Sequence, residues 1–330
     1  MTTATDTGGA DTTPPGPPGP PGPPKTSRAR TRLGDRTFAG AARGAGILIL
    51  LVLAGVAGFL LIEAWPALVA APEELPGGEG FVAYVAPLAL GTVTAAIIAL
   101  LLATPLAVGI ALFISHYAPR RLANALGYLV DLLAAVPSII YGFWGLAVLA
   151  PLMTPVGQWL ESTLGFLPFF AGPASATGRT TLTVGVVLAV MILPIVSGVT
   201  REVFLQTPRL HQEAALALGA TRWEVIRMTV LPFGRSGIIS ASMLGLGRAL
   251  GETMAVAIVL SASGVLTVNL ISSSNAGTIA AAIALDFPEA SGVHVNALVA
   301  AGLVLFIITM AVNMFARWIV SRRSAFAGAN

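Results

Sequence analysis

Long apolar runs separated by short polar intervals dominate the chain. Six of them, Gly46 to Ala70, Ala86 to Ser115, Ala123 to Leu152, Thr181 to Thr200, Ser236 to Ala262 and Val295 to Trp318, are long enough to cross the roughly 30 Å hydrocarbon core of a bilayer as helices. Between the fourth and fifth runs the pattern changes. Glu213 to Pro232, EAALALGATRWEVIRMTVLP, is a polar interval whose local signals predict two short helices. Thr207 is placed to cap the first, with Pro208 at its first position, where a missing N–H costs nothing, and Gly219 ends it. Thr221 and Glu224 make a capping box for the second, which is expected to stop before Pro232. Leu210, Ala214 and Leu218 recur at i, i+4 and i+8, so the first helix carries a narrow apolar stripe beside polar Arg209, Gln212 and Glu213. Such a stripe needs a partner groove.

Arginine and lysine set the expected orientation. Lys25, Arg28, Arg30, Arg32, Arg36 and Arg43 precede the first run, and Arg120 and Arg121 separate the second from the third. Arg201, Arg209, Arg222, Arg227 and Arg235 lie between the fourth and fifth, and Arg317, Arg322 and Arg323 close the last. Of the 18 lysines and arginines, only Arg179 falls on the other side and only Arg248 lies deep within a run. Both termini and the polar hairpin are therefore expected in the cytoplasm. On the opposite face Glu73, Glu74, Glu79, Glu161, Asp286 and Glu289 outweigh Arg179, so that surface does not attract anions.

A 330-residue chain with 55% hydrophobic and 10% charged residues and a mean hydropathy of +0.85 has the composition of an all-α polytopic membrane protein. Its net charge of +3 follows the topology, with no basic stripe or interleaved aromatics to point to nucleic acid. Zero cysteines exclude disulfides and thiolate ligands, and His116, His211 and His294 lack the spacing of a metal site. The first run is long enough to remain as an anchor rather than a cleaved signal. Residues 14–24, PPGPPGPPGPP, have a collagen-like period too short for a triple helix. The expected organisation is a disordered Pro/Gly-rich basic tail over 1–43, a transmembrane domain over 44–323 with the hairpin at about 201–235, and a short tail over 324–330.

The fifth run holds two ionisable residues. Arg248 is about 18 Å in from the cytoplasmic start at 1.5 Å per residue, and Glu252 follows one turn later on the same helical face. A charge at such depth costs on the order of 3 kcal/mol, so each is expected to face the protein interior or an aqueous path. The two either neutralise each other, with Asp131 of the third run, about 12 Å deep, as a further counter-charge, or the Arg248 fork serves as a transient ligand for a tetrahedral oxyanion. Gly247 and Gly251 form a GxxxG face suited to close helix packing. In the third run Pro137 predicts a kink, with Ser138, Tyr141 and Trp144 either lining a pathway or satisfying freed carbonyls.

The hairpin resembles the cytoplasmic signature of bacterial ABC importer permeases: Glu213, Ala214, Ala215, Gly219, Leu231 and Pro232 match it, while Thr229 stands where the family has Ile. With GRALGETMAV in the fifth run and VPSIIYGFWG in the third, the chain is similar to the PstC-type permease family of the bacterial high-affinity phosphate importer, from about Arg43 to about Arg323. The sister PstA-type subunits tend to continue Gly-Glu-Thr with Ala-Pro, where this chain has Met254 and Ala255. The resemblance implies a type I ABC importer permease fold in the bacterial plasma (inner) membrane. It implies a heterodimer with a PstA-like permease, a PstB-like ATPase dimer and an extracytoplasmic phosphate-binding protein, with no cofactor on this chain. It places phosphate movement at Arg248 and Glu252 and ATPase coupling at the signature residues. The chain has no Walker A element of its own, so nucleotide hydrolysis belongs elsewhere. Other oxyanions such as phosphonate, sulfate or molybdate remain alternatives, as does an ATP-independent secondary transporter, although no inverted repeat is evident. No metal motif or nucleophile elbow points to a membrane-embedded enzyme.

Overall fold

The computed structural model describes residues 33–327, with side chains over most of that span; the Pro/Gly-rich stretch lies outside it. Two units divide after Ala54. In the first, residues 33–54 are helical, and residue 34 and residues 37–54 are exposed. They belong to α1 (Leu33–Val69), which begins well before the expected span start at Gly46.

The rest of the chain continues through α2 (Phe81–Leu112), α3 (Arg120–Ala134), α4 (Ser138–Trp144), α5 (Ala150–Leu164) and α6 (Thr181–Leu205). It then forms α7 (Arg209–Ala217), α8 (Arg222–Val225), α9 (Leu231–Leu250), α10 (Met254–Val259), α11 (Ile279–Asp286) and α12 (Val293–Ala327). Wide π turns at Phe113–Tyr117, Gly145–Leu149 and Ile226–Val230 extend α2, join α4 to α5 and join α8 to α9.

Helix α6 is the centre of the second unit. Its Val184, Leu188, Met191 and Ile192 pack with α2, α9 and α10 in one core. Helix α2 meets that core through Ala95, Ala99 and Ala103, and the same four-residue spacing continues in Ala107 and Ala111, none more than 2% exposed. Small residues on one face let backbones approach where apolar burial alone gives no drive between helices in lipid. The contact is tight at Gly185, where a Cβ would lie 2.4 Å from Ile98 Cγ2.

Among the described residues five helical stretches are long and apolar enough to cross a membrane: Thr37–Val69, Phe81–Tyr117, Ser138–Leu164, Thr181–Leu205 and Val293–Ile319. Two expected spans change. The third does not start at Ala123, because Val136 and Pro137 interrupt it: Pro137 has no N–H to donate and biases Val136 away from the helical region. Helix α3 is consequently a separate amphipathic element, and the crossing helix begins at Ser138. The fifth is divided at Gly251–Thr253 into α9 and α10, after which the chain runs without regular helix to Ile279.

The segment after α10 is folded around Asn275, which is fully buried. Its Oδ1 accepts from the Thr181 N–H and hydroxyl, and its Nδ2 faces the carbonyls of Arg179, Ser261 and Ser273. Arg179 donates to the carbonyls of Ile258, Val259 and Leu260. It thereby satisfies the C-terminal end of α10, where the helix dipole also favours a cation. Thr92 of α2 accepts from the Ile279 N–H and caps α11.

Candidate functional site in two interrupted helices

The two interruptions meet. Helix α4, released at Pro137, lies against α10, released at Gly251–Thr253, so closely that a Cβ on Gly142 would stand 2.9 Å from Ala255 Cα. Three residues on, a Cβ on Gly145 would press on Val187 and Val259. The glycines of YGFWG thus admit α4 into the angle between α6 and α10.

Glu252 occupies the second interruption and is 8% exposed. Its Oε1 accepts from the Ala255 N–H at 3.1 Å, capping α10 at an end with unpaired N–H groups. The other carboxylate oxygen has no protein hydrogen-bond partner among the described residues. The expected one-turn pair with Arg248 is therefore absent. Helix α9 ends at Leu250, so the i, i+4 geometry does not persist to residue 252, and the carboxylate turns forward. Arg201–Glu202, at 2.7 Å, is the ion pair found among the described residues.

Arg248 is half-buried in the last turn of α9 and lines a cavity of about 670 Å³ between α9 and α12. The Tyr141 hydroxyl donates to the Leu133 carbonyl at 2.9 Å, so it satisfies a group freed by the first interruption. Ser138, the first residue of α4, is half-buried, and Trp144 is partly exposed. Asp131 is not brought to Arg248. It is exposed on α3 near Gly198 of α6 and pairs with no cation among the described residues, because α3 is not the buried continuation of a span. The GxxxG reading also moves: Gly247 has open space around it and Gly251 meets only its own helix, whereas a Cβ on Gly245 would lie 2.7 Å from Val196 of α6.

The hairpin adopts the two expected helices with altered ends. Pro208, not Thr207, precedes α7 and provides no side-chain cap; the Thr207 hydroxyl is buried without a partner, while Gln212 reaches the Thr207 carbonyl. Gly219 has φ +87°, the left-handed position that ends α7, with Ala220 N–H returning to the Ala215 carbonyl. The Thr221–Glu224 capping box is complete. The second helix does not stop before Pro232. Leu231 N–H bonds five residues back to Ile226, and this wider turn lets the ring at Pro232 enter α9.

Of the signature residues, Glu213, Ala214, Gly219 and Pro232 are exposed, Ala215 is buried and Leu231 is half-buried. Thr229 bonds the Val225 carbonyl, and the hydrophobic anchor falls instead to Ile226 and Val230, packed with Ala111 and Phe204. Leu210 and Leu218 are 75% and 90% exposed, so the apolar stripe is uncovered. Beneath the hairpin His116 of the α2 extension bonds Ser115 and meets Phe204 edge-on. Sequence reasoning missed this cradle, for which SHY at the end of a span was the available signal.

These features define a polytopic α-helical permease core with a structured hairpin beside an interrupted crossing helix. Residues 103–325 match the family described as binding-protein-dependent transport system inner membrane component, and the chain belongs to it. It is 48% identical over 299 residues to the phosphate transport system permease protein PstC 2 of Mycobacterium tuberculosis, covering 87% of this chain and 91% of that one. It is 48% identical to PstC of Xylella fastidiosa (strain Temecula1) across 72% of this chain and 74% of the relative. A bacterial ABC transporter involved in import of the acidic polysaccharide alginate shares the fold, with a TM-score of 0.54 at 20% identity, covering 87% of this chain and 99% of that chain. The chain is therefore a non-catalytic multi-pass permease subunit.

Proposed function

We propose that this chain translocates inorganic phosphate across the bacterial inner membrane as one permease of an ATP-driven importer. Its partners are a PstA-like permease, two copies of a PstB-like ATPase and an extracytoplasmic phosphate-binding protein. The observation that carries the reading is the placement of Arg248 on an open cavity at the end of α9, with the Glu252 carboxylate in the adjoining interruption. The likeness to PstC relatives over most of the chain supports phosphate as the oxyanion.

Each group has a defined task. The Arg248 fork suits two oxygens of a tetrahedral anion. Phosphate near neutral pH keeps a proton, and the unpaired oxygen of Glu252 can accept it. Sulfate has no proton and sets acceptor against acceptor, which rejects it. The exposed stripe of α7 is the surface on which the ATPase docks, with Gly219 and the buried anchors Ile226 and Val230 passing its movement to α9. Uptake of labelled phosphate by the reconstituted complex, with sulfate, molybdate and phosphonate as competitors, tests the reading. Transport without nucleotide, or equal competition by sulfate, overturns it.

A further inference from the structure

We propose that the cavity between α9 and α12 is a two-arginine site for a phosphate group, with Arg317 as a second guanidinium beyond Arg248. The inference rests on the permease reading above and extends it to a residue outside the recognised motifs.

The cavity, about 670 Å³, is lined by Ser240, Gly247 and Arg248 from α9 and by Asn313, Ala316 and Arg317 from α12, among others. Among the described residues no carboxylate lines it and neither guanidinium has an ion pair. Arg248 is half-buried and Arg317 exposed on the same open space, so an anion entering it meets both positive charges. Of the neutral polar groups, the Ser240 hydroxyl has its proton on the Ser236 carbonyl and leaves only acceptor lone pairs, while the Asn313 amide has an NH2 to offer. The charged donors of the lining are the two guanidiniums, which suit an oxyanion and not a metal ion. Gly247 leaves the space beside Arg248 open, since nothing lies within 4 Å of where its Cβ would be.

The two arginines also differ in depth. Arg248 is in the last turn of α9, whereas Arg317 lies two residues before the end of the span Val293–Ile319, on the side that the arginine bias assigns to the cytoplasm. On α9 the lining runs from Ile239 to Arg248, about 14 Å of helix rise. Arg317 thus forms a contact closer to the expected exit than Arg248. The same position is level with phospholipid headgroups. Free phosphate and the phosphate of an anionic lipid share the chemistry that this pair of forks recognises.

The test uses the complete complex in nanodiscs of phosphatidylcholine alone or with phosphatidylglycerol, as wild type, Arg317→Gln, Arg317→Lys and Arg248→Lys. Retention of labelled inorganic phosphate is measured in the first, and copurifying phosphatidylglycerol is counted by mass spectrometry in the second. In Arg317→Gln, phosphate retention should fall about tenfold, the scale of one charge-assisted hydrogen bond, with Arg317→Lys between it and wild type. Loss of bound phosphatidylglycerol with unchanged phosphate retention would also support the two-arginine site and assign it to a headgroup. If both readings are unchanged in Arg317→Gln while Arg248→Lys impairs phosphate retention, the two-arginine site is overturned and the permease reading stands. If Arg248→Lys also changes neither retention nor uptake, the assignment of phosphate to Arg248 fails and the inference with it.

Discussion

Gly142 of α4 packs directly on the Ala255 backbone of α10: a Cβ on the glycine would sit 2.9 Å from the alanine Cα. The atom in the way is backbone, so no rotamer change can relieve the clash. Gly142→Val should push α10 away from α4 at a cost of about 1–3 kcal/mol for overpacking. A lower melting temperature of the purified complex, with uptake reduced at least in proportion, is the expected result. Unchanged melting and uptake would mean that the two segments are not held together in the working protein.

Glu252 separates capping from charge. Glu252→Gln keeps an oxygen for the Ala255 N–H and removes the negative charge, whereas Glu252→Ala removes both. The alanine variant should lose about 1 kcal/mol of stability, the usual worth of a cap. The glutamine variant should fold normally and admit sulfate, because its amide can donate to an anion that lacks a proton. Phosphate and sulfate uptake at substrate levels high enough to bypass the binding protein reads the difference. An unchanged ratio in Glu252→Gln would place selectivity upstream and leave Glu252 as a cap alone.

Arg179 holds the other end of α10 through three carbonyls. Arg179→Gln cannot span them, and buried carbonyls left without donors cost about 1–3 kcal/mol. Complex melting should fall while nucleotide-driven ATPase association remains, since the hairpin lies on the opposite side in the expected topology. Faster hydrogen exchange confined to residues 254–260 and the segment around Asn275 would be the signature.

Gly219 has φ +87° at the end of α7, in open space. The obstacle to a side chain is thus backbone strain alone, roughly 1–2 kcal/mol for an ordinary L-residue and more for a β-branched one. Gly219→Val should twist the hairpin relative to the ATPase and raise the number of ATP molecules hydrolysed per phosphate transported. Normal coupling in a variant that still binds the ATPase would remove Gly219 from the transmission path.

The Glu224 carboxyl lies below its ordinary pKa because the Thr221 N–H and hydroxyl donate to its ionised form. A depressed carboxyl contributes stability that is present above the unfolded value and is lost as pH falls through the folded one. The Thr221 amide should therefore stay protected at neutral pH and open only below the ordinary glutamate range. Glu224→Gln should abolish that acid dependence in hydrogen exchange, corrected for the intrinsic rate.

Much of this architecture was legible in one dimension. Long apolar runs require helices in lipid, because backbone groups there must be satisfied within the segment. The capping box and the left-handed Gly219 were readable because their partners lie within a few residues, and the signature hairpin identified the class of machine. The four-residue alanine spacing of α2 was equally present in the sequence, and its meaning depended on which helix it would meet.

The tertiary structure decided what depends on partners far along the chain. Hydropathy reports the solvent around a segment, not whether its helix is continuous, so Pro137 and Gly251 read as a kink and a packing glycine when each marks a full interruption. The Arg248–Glu252 pair followed from assuming an unbroken helix, and once α9 ends at Leu250 the carboxylate has a nearer donor in Ala255. Asp131 looked buried only while α3 counted as part of a span. The meetings of Gly142 with Ala255, Arg179 with the end of α10, and Arg248 with Arg317 around one cavity join residues separated by roughly 70 to 115 positions. Sequence alone supplied their chemistry, and only packing decided which of them could touch.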